Sequence, residues 1–235
     1  IEKKRAAMPK PVVKEEVVSD ETVLEFFYDF GPRYRGITKA EIADISTVID
    51  FFSKEQAQQV VSYGMVSITL IVNESQSNIQ ELSNGDLLTK AQLELLRSLD
   101  YSDHFNMRAN YKSRNRETDE LEDKFHSPHL TIIPEKQVEY LNGKEAFLNF
   151  LIKGSKKEKA VAEEKKLRPA KLYFTVTKNG SITDVKVGNR SGYKPLDDKL
   201  IELLNMLPGK WQPAENAIGE KIDQELVVSY GFMGC

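Results

Sequence analysis

Residues 170–187 read AKLYFTVTKNGSITDVKV. Apolar and polar positions alternate on both sides of Lys178-Asn179-Gly180. An Asn-Gly pair between two alternating runs is the strongest short-range hairpin signal, because a tight two-residue turn needs positive φ and these residues tolerate it. The pattern predicts a strand over 170–177 and a return strand over 182–187. Downstream, Pro195 stands where a helix would start, and Asp197 and Asp198 fall in its positively polarised first turn. Leu196, Leu200, Leu203, Leu204 and Leu207 form its apolar stripe. Residues 224–232 then alternate Leu226, Val228, Tyr230 and Phe232 with Glu225, Val227 and Ser229, as a last strand would. Upstream, Asn142 and Glu145 read as an N-cap and its acidic partner, with Ala146, Phe147, Phe150 and Leu151 on one helical face. Ser155 and Glu158 are placed to cap a second short helix in the Lys/Glu-rich run that follows.

The first half repeats this order. Thr38 and Glu41 form a capping box, and Ile42, Ile45, Val48, Ile49 and Phe52 share one face, which predicts a helix reaching about Phe52. A strand over 60–73, a polar turn over 74–78, a return strand over 79–82 and a helix over 89–99 follow. Phe105, Met107, Ala109 and Tyr111 alternate, the charged run 112–124 reads as a solvated hairpin tip, and 130–133 resumes a strand before Pro134. Setting 66–72 beside 170–176, Ile79 beside Ile182, Leu95 and Leu96 beside Leu203 and Leu204, and 130–133 beside 226–230 gives a period of about 100 residues. The fold expected is therefore α+β: two tandem α-β-β-α-β domains, 23–134 and 135–235, each a helix pair on an antiparallel sheet. A flexible linker over 1–22 precedes them, since that stretch holds no sustained period.

Composition narrows the function. At 235 residues with 40% hydrophobic side chains the chain can pack a core, so disorder is not expected. Lys+Arg 33 against Asp+Glu 36 gives a net charge of −3, which lacks the basic field of a general nucleic-acid binder. The longest apolar stretch, 60–72, is interrupted by Ser, Thr and Gly and falls short of the ~18–20 residues of a membrane helix. The single cysteine, Cys235, permits no intrachain disulfide and no thiolate metal cluster. The chain starts at Ile1 rather than Met, and the expectation is that a secretion or anchoring segment once preceded it.

The second copy resembles the C-terminal domain of TonB-type energy transducers of the bacterial envelope. The residues that carry the resemblance are Phe174-Thr-Val-Thr-Lys-Asn-Gly180-Ser-Ile182-Thr-Asp184-Val185, Leu196-Asp197, Met206-Leu207-Pro208, Trp211-x-Pro213-Ala214, Gly219-x-Lys221-Ile222 and the opening Asn142-Gly143-Lys144-Glu145-Ala146. They span about 142–232. The Tyr-Pro pair usual before the first strand is absent, replaced by the Lys/Glu-rich 156–166, and the first copy lacks both W-x-P-A and the hairpin glycine. The resemblance implies a periplasmic protein tethered to the inner membrane by an N-terminal segment. It further implies that such a protein pairs its last strand with an N-terminal box of an outer-membrane transporter, while inner-membrane motor proteins pull through the linker. The alternative is a structural or sensory envelope scaffold contacting protein or peptidoglycan without transmitting force. The ~20 linker residues reach only about 60 Å when extended, short for a periplasm-spanning arm.

The docking surface expected from this is the last strand as an open sheet edge: Gln224, Glu225, Leu226, Val227, Val228, Ser229 and Tyr230, with Glu225 and Ser229 facing outward to set selectivity. Trp211 is a further candidate contact, or else a staple between loop and core. Edge strands of this kind also self-pair, which makes a homodimer a further expectation. No cofactor or metal is expected. His126-Ser-Pro-His129 is a poor half-site without a third ligand, Asp197-Asp198 and Asp119/Glu120/Glu122/Asp123 read as helix-terminal and solvated charge, and no G-x-S-x-G, phosphate loop or dinucleotide fingerprint occurs. An enzyme is not expected. Arg33, Tyr34, Arg35 and Lys39 make a small basic and aromatic cluster near the first helix.

Overall fold

The computed structural model describes residues 26–73, 75–163, 167–207 and 210–232. The expected linker over 1–22, Pro208 and Cys235 lie outside the described residues. The fold is mixed α+β and mostly antiparallel, with two large sheets, two short two-stranded pairs and two separate cores among the described residues.

The first sheet contains β2 (Arg35–Thr38), β3 (Val60–Val72), β4 (Ser75–Asn84), β5 (His104–Arg114), β6 (Leu121–His126) and β7 (His129–Ile133). Its order is β2-β7-β5-β3-β4, with β6 beside the far half of β5. Only β2 and β7 run parallel. α1 (Lys39–Asp44) and α3 (Lys90–Ser98) cover one face, with the single turn α2 (Lys54–Ala57) between them in the chain, and both are opened by complete capping boxes, Thr38 with Glu41 and Thr89 with Gln92. Ile42, Phe51, Val66, Ile68, Leu96, Phe105, Met107 and Leu130 fill the core between them.

The second sheet has the order β1-β14-β9-β10, built from β1 (Phe26–Gly31), β9 (Ala170–Val176), β10 (Ile182–Asn189) and β14 (Gln224–Phe232). α4 (Lys144–Gly154), α5 (Lys156–Glu163) and α6 (Lys194–Asn205) belong to this unit. Phe147, Leu151, Leu196, Leu200 and Leu204 pack on Leu172, Phe174, Leu226, Val228 and Tyr230. Short pairs β8 (Glu139–Tyr140) with β11 (Trp211–Gln212), and β12 (Ala214–Glu215) with β13 (Lys221–Ile222), close its far end. The hairpin is present, but as a three-residue loop, Lys178–Gly180, closed by the Thr177 N–H on the Ser181 carbonyl at 2.9 Å: Asn179 keeps negative φ, and Gly180 alone turns over, at φ +76°, its N–H donating to the Thr177 carbonyl at 2.8 Å. A Cβ there would collide with the Trp211 carbonyl as well.

Both sheets share a core arrangement. β5-β3-β4 and β14-β9-β10 each place the third strand, then the first, then the second, all antiparallel. The third strand of the first unit is thus β5, not residues 130–133, which form β7 one position further out. In both units another strand flanks the third on its outer side. In the first unit β6 and β7 do so, the strands next along the chain; in the second it is β1, from the opposite end of the chain.

β1 therefore crosses the division expected between 23–134 and 135–235. Its residues pair with β14, and Phe26, Tyr28 and Phe30 pack into the core of the C-terminal unit. The chain leaves that unit at Pro32, builds the first unit, and returns after Ile133.

Three further readings are corrected. The helix predicted from Thr38 to Phe52 breaks at Ile45, which is extended, and restarts as a 3-10 turn over Val48–Phe51. The Asp50 carboxylate accepts from the N–H groups of Ser46 and Thr47, a side-chain alternative to continuing the helix. As a result Phe51 is buried in place of Ile49, which is 40% exposed. The polar turn expected over 74–78 is mostly strand, since β4 begins at Ser75 and pairs Gln76 with Ile71. The N-cap of α4 is Gly143, at φ +83°, one residue beyond the expected Asn142.

Candidate functional site

β14 alternates as expected, but it is an interior strand. On one side it pairs with β9 from Gln224↔Val176 to Tyr230↔Ala170, and on the other with β1 from Gly31↔Val227 to Phe26↔Phe232. The expectation of an open docking edge at Gln224–Tyr230 is thereby corrected: from Val227 to Tyr230 the backbone groups that a partner would use already hold β1, and the Glu225 N–H is taken by Ser102 Oγ. β1 gives a readable signal, with Phe26, Tyr28 and Phe30 alternating with Phe27 and Asp29, but nothing local says which strand it joins.

Leu226, Val228 and Tyr230 face the core, and so does Gln224, whose side-chain oxygen accepts from the Val138 N–H at 2.9 Å. Tyr230 donates its hydroxyl to Asp197 Oδ1 at 2.6 Å, and the Ser191 N–H reaches the same oxygen at 3.2 Å. Burial first, and this hydrogen bond next, push the Tyr230 phenol far above its ordinary range. Asp197 is therefore more than helix-terminal charge: it is a buried anchor. Asp198 stays near the surface in an ion pair with Lys194.

The other face of β14, which was expected to meet solvent, meets the first unit. Glu225 binds Lys186 Nζ at 2.8 Å, lies 4.0 Å from His104 Nε2, and its N–H donates to Ser102 Oγ at 3.0 Å. Val227 and its cross-strand neighbour Tyr173 are both 4% exposed. The Arg33 guanidinium stands 5.7 Å from the Tyr173 ring, and a Cβ on Gly188 would fall inside that ring. Glu225 and Val227 are thus junction residues. A cleft of about 390 Å³ opens beside them, between the ends of β3 and β10, with Arg33, His104, Tyr173, Lys186 and Glu225 on its walls. The His104 ring faces Thr131 Oγ1 through Nδ1 at 3.0 Å, but Thr131 is 2% exposed and is a structural partner rather than a nucleophile.

Trp211 is a core staple and not a surface contact. It is 4% exposed, with Phe30, Tyr140, Phe147 and Phe174 ring centroids 5.1 to 5.9 Å away. Of the basic and aromatic cluster, Arg33 and Tyr34 sit at the junction, while Lys39 pairs with Asp100 at 2.8 Å over the Tyr101 ring. His126 and His129 serve separate neighbours: His126 Nε2 faces the Phe51 carbonyl at 3.2 Å, and His129 leans on Tyr34. Among the described residues no three His, Cys, Asp or Glu side chains gather as a metal site would require. Among the described residues no helix is long and apolar enough to cross a membrane.

The remaining feature with the geometry of recognition is the β14 edge with its added strand. All six residues of β1 stay in register without a bulge. β10 at the opposite edge carries register shifts at Thr183–Lys186 and Val187–Asn189, and β4 is opposite another at Thr69–Ile71, irregularities of the kind that discourage strand addition.

No protein-family model matches the chain, and neither a curated protein nor a solved structure is found similar to it.

Proposed function

We propose that this chain is a TonB-like protein of the bacterial envelope, with two units of related topology, that takes up an extended segment of an outer-membrane transporter or another envelope partner beside β14. The observation supporting this reading is the unbroken register of β1 on β14. An edge that seats one extended segment through backbone pairing and alternate side chains has the form needed to seat another. The shared third-first-second strand order agrees with the tandem arrangement. The periplasmic location, the tether to the inner membrane through a preceding segment, the motor proteins there and the transmission of proton-motive force are parts of this proposal that rest on the resemblance over 142–232. The role is binding rather than catalysis.

A second reading has its own observation. Because β1 fills the slot in cis, the two units are tied together, which suits a scaffold contacting protein or peptidoglycan without transmitting force. Titrating the isotope-labelled chain with peptides from transporter N-terminal segments separates the two. Under the first reading the amide signals of Phe26–Gly31 and Gln224–Phe232 shift together as β1 is displaced. Retention of the protein on peptidoglycan, with those signals unmoved by any transporter peptide, would establish the scaffold.

A further inference from the structure

The contacts of β1 describe a groove with distinct seats. Phe26 sits edge-on to Phe232 at 5.2 Å, with Lys159 Nζ 5.2 Å from its ring. Tyr28 lies nearly parallel to Tyr230 at 6.4 Å and meets Ser155 Oγ at 2.9 Å. Ser155 is fully buried and its own hydroxyl donates to the Leu151 carbonyl at 2.7 Å, so the Tyr28 hydroxyl is the donor in that pair. Phe30 packs on Phe147 at 4.6 Å and on Trp211 at 5.9 Å. On the outer side, Asp29 pairs with Lys144 at 2.6 Å. β1 is not continuous with the elements it completes: the whole first unit separates it from them, and Pro32, Arg33 and Tyr34 join it to β2. Only one of its sides carries a strand among the described residues, and Asp29 is exposed.

We infer that the outer edge of β14, together with α4 and Ser155, is a groove selective for an extended protein segment of the form aromatic-x-Tyr-Asp-aromatic, and that β1 is its exchangeable resident. This rests on the reading that a partner's strand enters beside β14, and it names what that strand carries. The three aromatic seats select alternate side chains, Ser155 selects tyrosine over phenylalanine at the middle seat, and Lys144 favours the acid next to it. The resident strand, tethered by three residues, acts at high effective concentration, so a partner must match its pattern to compete.

The test uses the full chain and a fluorescein-labelled peptide Phe26–Pro32, followed by anisotropy. Phe30→Ala weakens the resident strand, and the variant is expected to bind the peptide at least about tenfold more tightly than the parent. A peptide with phenylalanine at the position of Tyr28 should bind severalfold more weakly to Phe30→Ala, and that difference should vanish when Ser155→Ala is added. A peptide with its aromatic residues moved to the alternate positions should fail to compete. Equal binding of the matched and shifted peptides, or no binding to a Phe30→Ala chain whose near-UV circular dichroism is native, overturns the inference. Should Phe30→Ala unfold, hydrogen exchange of the parent decides: amides of Phe26–Gly31 must open faster than those of Ala170–Val176, and equal protection refutes an exchangeable strand. Transporter segments lacking the pattern that displace β1 as readily as the matched peptide would remove the selectivity and leave the proposed function standing. Failure of every peptide would remove both.

Discussion

Tyr230 and Asp197 hold each other at 2.6 Å, and neither reaches solvent. The pair fastens the central strand β14 to the first turn of α6. Asp197 Oδ2 has no hydrogen-bond partner among the described residues, so Oδ1 carries the polar satisfaction of the carboxyl group through Tyr230 and Ser191. Tyr230→Phe removes one of those two donors and keeps the ring. Unfolding in urea should show a loss of about 1–3 kcal/mol, the cost of a buried group left short of a partner.

The same pair sets an alkaline limit. The folded pKa of Tyr230 lies above the unfolded value near 10, so the native state keeps a proton that the unfolded chain releases. Its contribution is complete below about pH 10 and declines as pH rises beyond it, by about 1.4 kcal/mol per pH unit. Urea titrations between pH 9 and 11 should show a shallower decline in Tyr230→Phe than in the parent; parallel slopes would exclude Tyr230 as the source.

At acid pH the group to watch is His126. Burial lowers its pKa below the ordinary value near 6.5, outweighing the raising effect of the bond to the Phe51 carbonyl. A depressed histidine contributes stability that is present above the unfolded pKa and lost as pH falls below it. The melting temperature should therefore drop as pH falls below about 6.5, and His126→Gln should flatten that part of the profile.

Val227→Pro tests the interior position of β14. Val227 lies between Gly31 of β1 and Tyr173 of β9, where proline removes a ladder donor and cannot be placed at a free edge. The expected loss is at least about 1–3 kcal/mol, the cost of a buried ladder partner left unpaired, read as a lower midpoint in denaturant. A native-like midpoint would show that β14 is not held from both sides.

Gly188→Ala probes the junction. The added methyl would enter the Tyr173 ring, which must then move away from Arg33 and from the Val227 face. Overpacking of this kind costs about 1–3 kcal/mol, and hydrogen exchange should rise at Tyr173 and Val227 while the core of the first unit, at Ile68 and Met107, keeps its protection.

Much of the fold was legible from short stretches. The hairpin at Gly180, the capping box at Thr38, the helix start at Thr89, the leucine stripe of α6 and the alternation of β14 each depend on residues within a few positions of one another, where backbone preference and periodicity act directly. The recurrence of element types along the chain was legible, but its last strand in the first half was set at 130–133, where the sheet instead places β5 beside β3 and β7 one position further out. The break after Asp44 was less legible, since the apolar spacing continues through it while the Asp50 carboxylate captures the Ser46 and Thr47 amides.

What the tertiary structure alone decided is the neighbour on the outer side of β14. Alternation says that a strand has two faces, but it does not say whether its edges are filled, because an edge is completed by whichever segment of the chain brings unpaired backbone groups to it. Here that segment lies roughly 200 residues away in the sequence, a separation that adds little closure entropy and leaves no local trace. The same long-range choice turned Glu225 from a solvent-facing residue into a partner of Lys186, His104 and Ser102, and Trp211 from a candidate contact into a wall for Phe30. Side-chain period assigns faces; only the packing of distant segments determines what each face meets.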